Sequence, residues 1–208
     1  MNSAKDLAPT DGADIIGTDR DHVWHHLSQH KLLEESDPLV IVSGSGMRVT
    51  DAKGREYLDA TSGGVWSVNV GYGRERIADA VREQLLQLCY FANTAGSIPG
   101  ARFAEVLLQK LPGLDRVYYS NSGSEANEKA YKMVRQLAHI NGDGTGHKII
   151  YRDRDYHGTT IGALSSTGQF ERKHQYGPFA PGFAEFSHCC CYRCPFGKEY
   201  GSCDIDCA

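Results

Sequence analysis

The chain has 208 residues, 40% of them hydrophobic and 23% charged, with a formal net charge of −4, enough for one well-buried core or for a domain and part of a second. This composition excludes disordered and collagen-like classes, and its 22 Lys and Arg are scattered, which leaves no electrostatic footprint for nucleic acid. No run of about 18 apolar residues occurs and the polar N-terminus lacks the layout of a signal peptide, so no membrane association and a cytoplasmic location are expected.

Residues 1–18 read as a flexible tail. Asp19 to Glu34 can form a helix that carries Val23, Trp24 and Leu27 together with His22, His25, His26 and His30. Histidines so spaced could bind a metal, but no carboxylate or cysteine completes a ligand set nearby, and an ordinary helix is the expectation. From Leu39 the pattern turns to short β-rich runs, Leu39–Val42, Met47–Thr50 and Glu56–Leu58, separated by the turn residues of Ser43–Gly46 and Asp51–Gly54. This predicts a small antiparallel meander. The Gly-rich passage Thr61–Gly73, with Trp66 and Asn69, is too irregular for a strand and too apolar for a linker, and reads as an ordered, partly buried loop.

Two amphipathic helices follow, Arg74–Leu88 with Ile77, Val81 and Leu85 on one face, and Pro99–Leu111 with Phe103, Val106 and Leu107 aligned. Then come a strand at Arg116–Tyr119, a helix at Ser124–His139 and a strand at Lys148–Tyr151, a βαβ succession. Beyond it, Thr159–Ser165 can make a short helix, Thr167–Gly182 reads as a loop and Phe183–Phe186 as a further strand.

The strongest single feature is the run Ser120 to Glu128, placed where the first strand of the βαβ unit hands over to its helix. A helix N-terminus presents unpaired N–H groups and the positive end of the macrodipole, Gly123 permits close approach, and Ser122 and Ser124 offer hydroxyls. An anion such as phosphate suits that junction. Ser122 followed three residues later by Glu125 is equally an ordinary capping box. A second junction, after the strand Lys148–Tyr151, leads into Tyr156-His157-Gly158. In a right-handed parallel crossover both junctions fall at the carboxyl ends of adjacent strands. An aromatic ring there can stack on a flat heterocycle, with Gly158 leaving room.

In three places the sequence resembles the class III aminotransferases, a family that uses pyridoxal 5′-phosphate (PLP). Thr61–Gly73 looks like their substrate-side loop, Ser120–Glu128 like their phosphate loop, and Asp155–Thr160 like their ring-stacking turn. The stretches Asp21–Leu27, Tyr118–Arg135 and Arg152–Thr160 look most like the branch acting on taurine or ω-amino acids with pyruvate. The resemblance implies an incomplete α/β fold type I PLP-transferase: an N-terminal α+β segment plus the first βαβ part of the large-domain mixed sheet. In these terms 19–73 is the N-terminal segment of the small domain with its substrate-side loop, 74–187 the first part of the PLP-binding large domain, and 188–208 a Cys-rich tail.

Carried over by resemblance, Ser122, Gly123 and Ser124 with Tyr156, His157 and Gly158 hold the cofactor, while Trp66 and Phe91 line the substrate side. Phe91 lies in Tyr90–Thr94, which corresponds to the region that reaches into a partner's site, so a homodimer is implied. The implied reaction moves an amino group from an amine donor to a 2-oxo acid by a ping-pong mechanism through a Schiff-base lysine. None of the nine lysines here matches that residue, and the lysine and the aspartate facing the pyridine nitrogen are expected beyond this segment. Aminomutases and racemases of the same fold, and an inactive protein that only binds, are the alternatives. In the tail, Cys191 and Cys194 have the spacing of a zinc hairpin, to which Cys203 and Cys207 could add two thiolates. The family pocket itself requires no metal.

Overall fold

The computed structural model describes residues 12–26, 28–92, 94–142, 144–205 and 207. The chain divides into two compact units at 97/98, where the organisation read from sequence had its break at 73/74. The helix expected over 74–88 thus groups with the first unit. Residues 1–11 of the expected tail, and Leu27, lie outside the described residues.

The first unit opens with helix α1, Gly12–His22, inside the stretch expected to be tail; Ile16 on it is buried. Helix α2 is His30–Glu35. One continuous helix over 19–34 does not form, because Val23, Trp24, His25 and His26 are poor helix formers in a row. There the chain turns back, and His25 Nε2 meets Asp19 Oδ2 at 2.5 Å.

Strands β1 (Ile41–Ser45), β2 (Arg48–Asp51) and β3 (Glu56–Leu58) make the expected antiparallel meander in that order. Val49 faces Gly44 on one side and Tyr57 on the other. Ser43–Ser45, expected as turn, lie within β1, so the reversal narrows to Gly46 and Met47. The second turn is built on Asp51, whose Oδ1 accepts the Lys53 and Arg55 amides at 2.9 and 2.8 Å. Its Oδ2 accepts Tyr57 OH and Arg55 Nε, both at 2.9 Å. Helix α3, Glu75–Gln87, closes the regular structure of this unit.

In the second unit helix α4 is Ile98–Leu108 and helix α5 is Gly123–Asn141. The apolar side chains expected to pack, Ile77, Val81 and Leu85 on α3 and Phe103 and Val106 on α4, are 51–56% exposed. Strands β4 (Ile149–Arg152) and β5 (Phe183–Phe186) pair in parallel, Ile149 with Phe183 through Arg152 with Phe186. Between them lie the short helices α6 (Ile161–Ser165) and α7 (Phe170–Lys173).

The strand expected at Arg116–Tyr119 joins no ladder; among the described residues the second unit pairs only β4 with β5. A strand exists through its neighbour's hydrogen bonds, and here the Tyr119 carbonyl is taken by Lys129 Nζ instead. The deepest packing is at Ala163–Thr167, each at most 6% exposed. Three buried hydroxyls there find carbonyls one turn back: Ser165 Oγ donates to Ile161 O, and Ser166 Oγ and Thr167 Oγ1 to Ala163 O. Among the described residues no helix is long and apolar enough to cross a membrane.

Candidate cofactor cradle

Helix α5 starts where its sequence says it should. Ser122 is the N-cap, and its Oγ accepts the Glu125 amide at 3.2 Å. Glu125 reaches back with Oε2 to the Asn121 amide at 3.0 Å, one residue earlier than an ideal capping box. The Gly123 and Ser124 amides, first in the helix, have no carbonyl a turn before them. At Gly123 no heavy atom stands within 4 Å of where a Cβ would lie. Two amides thus stand at the positive end of a 19-residue helix, with room for close approach at Gly123.

The second junction closes on the first. Ser124 Oγ accepts the Thr159 amide at 3.1 Å, and Asn127 Nδ2 donates to the His157 carbonyl at 2.6 Å. Gly158 is buried at φ +138°, and a Cβ there would lie 2.3 Å from Ser124 Oγ and 2.8 Å from the Ala163 Cβ. Only glycine lets the two segments touch. The expected cause was adjacent strands, yet residues 116–119 are not hydrogen-bonded to β4; the contact comes from side chains on one face of α5.

That face continues. Glu128 Oε1 accepts Thr160 Oγ1 at 2.6 Å and the Ala163 amide at 3.1 Å, Tyr131 OH pairs with Ser166 Oγ, and Arg135 Nη2 donates to Pro181 O at 3.0 Å. These supports escaped the motif reading. Their signal was the polar spacing 124, 127, 128, 131, 135 along a helix, which repeats every three to four residues on one side.

Both serine oxygens accept backbone amides, which leaves each O–H proton available as a donor. Tyr156 is half-exposed, with the Arg172 guanidinium 4.6 Å from its ring centroid. One face of the ring thus has a cation against it, and the other is the platform on which a planar heterocycle can lie. His157 is held through its backbone.

Trp66 and Phe91 belong to the first unit, and both are exposed. The loop is ordered, as expected, but none of its residues is buried, and hydrogen bonds hold it. Asp59 accepts the Gly63 amide at 2.6 Å and Tyr72 OH at 2.8 Å with Oδ2, and the Thr61 amide and hydroxyl at 3.0 Å with Oδ1. Ser62, Gly63, Gly64 and Trp66 all adopt positive φ, 55°, 84°, 84° and 60°. Behind the loop is a cavity of about 300 Å³ lined by Met47, Asp59, Asn69 and Tyr72 among others.

A phosphate-ready helix end joined to an aromatic turn points to a phosphorylated planar ligand, and the family comparison agrees. Residues 32–202 match the family model "Aminotransferase class-III". The chain belongs to the class III aminotransferases. It is 63% identical over 185 residues to taurine–pyruvate aminotransferase of Rhodobacter capsulatus, covering 89% of this chain and 40% of that protein. Against hypotaurine/taurine–pyruvate aminotransferase of Paracoccus denitrificans it is 62% identical over 197 residues, 94% of this chain and 43% of the relative. An (S)-enantioselective ω-transaminase from Thermomicrobium roseum superposes with a TM-score of 0.81 at 36% identity, over 86% of this chain and 40% of that one. The Pseudomonas jessenii ω-transaminase in complex with PMP gives 0.79 at 30% identity, over 83% and 39%. The chain thus spans about 40% of the length of the relatives it matches, and its architecture is part of the α/β fold type I PLP-transferase fold.

Class III aminotransferases depend on PLP, and the donor set at the head of α5 fits its phosphate: two helix-end amides and two serine hydroxyls able to donate. Two lysines of the second unit are already engaged. Lys129 Nζ binds the Tyr119 carbonyl and lies over the Tyr118 ring, and Lys173 Nζ donates to Tyr151 OH at 2.8 Å between the Tyr151 and Phe179 rings. In the tail all seven cysteines of the chain being free includes Cys191, Cys194, Cys203 and Cys207. Among the described residues no three His, Cys, Asp or Glu side chains are grouped to hold a metal ion. Burial, then the nearby Cys189, Cys191 and Cys194, push the Cys207 thiol above its ordinary pKa.

Proposed function

We propose that this protein is an aminotransferase that takes the amino group of an ω-amine, taurine foremost, and delivers it to pyruvate, with PLP seated between the head of α5 and the Tyr156 turn. The observation that carries the reading is the Ser124–Thr159 contact, which sets an anion site and an aromatic face side by side. The 59–63% identity to taurine–pyruvate aminotransferases supports the choice of donor and acceptor.

When bound, PLP supplies an electron-poor ring and a carbonyl able to carry an amino group between two substrates. The chain's part is to bind and orient it. The Gly123 and Ser124 amides and the Ser122 and Ser124 hydroxyls take the phosphate, Tyr156 covers the ring, and His157 and Gly158 carry the turn close to α5. On resemblance, Trp66 lines the amine side, Phe91 extends toward a partner subunit, and a cytoplasmic homodimer is the working assembly. No lysine of this chain is assigned to the cofactor.

The test is to supply the full natural chain with taurine, β-alanine or an aromatic amine together with pyruvate and PLP. Alanine is expected from at least one donor. Absence of alanine with all of them overturns the reading.

A further inference from the structure

The backbone of His157 is gripped at both of its polar atoms. Its carbonyl accepts Asn127 Nδ2 at 2.6 Å, and its amide donates to Thr167 Oγ1 at 3.1 Å. Thr167 is 0% exposed, and its hydroxyl is itself directed to the Ala163 carbonyl at 3.1 Å. Asn127 stands three residues after Ser124, on the same side of α5.

Peptide planarity turns these two bonds into a constraint on Tyr156. The His157 amide shares a rigid plane with the Tyr156 Cα, and the His157 carbonyl shares the next plane with Gly158. These two planes flank the His157 Cα. The plane before Tyr156 is held as well, because the Asp155 carbonyl accepts the Gly168 amide at 2.8 Å. Thr167 and Gly168 together fix where the Tyr156 Cα–Cβ bond leaves the chain, and Asn127 fixes the following plane against α5. Beyond Gly158, Ser124 Oγ holds the Thr159 amide. The stretch 156–159 is therefore tied to α5 at two points and to the buried Thr167 hydroxyl through both the His157 amide and the Gly158 carbonyl.

We propose that Asn127 and Thr167 are positioning residues for the stacking ring. Thr167 holds the peptide plane that follows Tyr156 and Asn127 ties the next plane to α5, which sets the Tyr156 Cα–Cβ bond at a fixed separation from the α5 amides, so that one rigid molecule bearing both an anion and a planar ring satisfies both. This rests on the cofactor reading above. It adds that anion binding and ring binding are separable: loosening the clamp weakens the second and spares the first.

The experiment uses the full natural chain with Asn127→Ala, Thr167→Val and Thr167→Ser. Amide hydrogen exchange in the ligand-free protein is read at His157, with the Ile149 and Asp153 amides, bonded across to Gly182 O and Phe186 O, reporting whether the fold survives. Affinities are measured for PLP and for inorganic phosphate. Thr167→Val is expected to speed His157 exchange and to weaken PLP about tenfold, as loss of one buried hydrogen bond does, with phosphate affinity unchanged. Thr167→Ser restores both. Asn127→Ala, which leaves the buried segment intact, weakens PLP but not phosphate.

Parallel loss of PLP and phosphate, or unchanged PLP affinity with faster His157 exchange, overturns the proposal. Should the unsubstituted protein bind phosphate but not PLP, the cofactor reading fails and takes this inference with it. Should it bind both and the variants lose them together, only the inference fails.

Discussion

Ser124 Oγ and the Thr159 amide meet at 3.1 Å across 35 residues of chain, and this bond joins the two halves of the cradle. Because the oxygen accepts from Thr159, its proton is free to serve an anion. One atom thus links the architecture of the turn to the recognition of a ligand.

Replacing Ser124 with Ala removes both roles. Stability should fall by about 1 kcal/mol for the lost hydrogen bond, and PLP affinity by about ten- to a hundredfold for a lost bond to a charged group. Denaturant melts and cofactor titration measure the two separately; an unchanged affinity would remove Ser124 from the site.

Gly158→Ala should be worse for the fold than for the chemistry of any single group. The new methyl meets Ser124 Oγ at 2.3 Å at a φ of +138° that side chains rarely adopt. Strain and overpacking together should cost about 2–4 kcal/mol, seen as a lower denaturation midpoint. Full wild-type stability would mean that the two segments do not touch.

Arg172→Ala strips the cation from the Tyr156 ring. A half-exposed cation–π contact is worth about 0.5–1 kcal/mol, so PLP affinity should fall about two- to fivefold. Arg172→Lys should recover part of it. A gain in affinity on removing the guanidinium would show that it competes for the platform.

Acid should loosen the first unit in a defined window. Asp59 is held at about 2, against an ordinary 3.8, by the Gly63 amide first and then the Tyr72 hydroxyl and Thr61. At Asp51 burial pushes upward, but the Arg55 amide, Tyr57 hydroxyl and Arg55 guanidinium outweigh it and leave about 2. Since both folded values lie below the unfolded one, their stabilisation is complete above 3.8 and disappears as pH falls towards 2. Hydrogen exchange at Gly63 and Arg55 should rise through that window, and in Asp59→Asn the Gly63 amide should already be fast at neutral pH. Flat exchange at both sites down to pH 2 would contradict these anchors.

Much of this was legible in residue pattern. The meander followed from alternating β-formers between Gly- and Asp-containing turns, and Ser122 announced the head of α5 because a capping side chain is a local signal. The failures were non-local. Arg116–Tyr119 has a strand's composition, but pairing depends on a neighbour that composition does not name. The break after His22 is the exception, a local run of weak helix formers at Val23–His26 beside which His25 meets Asp19. Asn127 and Thr167 looked like ordinary polar residues, since what matters is a backbone 10 to 30 residues away.

Trp66 keeps a backbone angle of +60° that suits glycine far better than an indole-bearing residue. Where it walls the amine pocket, as proposed, a Trp-to-Gly change would relieve about 1 kcal/mol of conformational penalty while vacating a large volume. One nucleotide separates the two codons, TGG and GGG. Substitution of this side chain would therefore meet little resistance from the backbone that carries it.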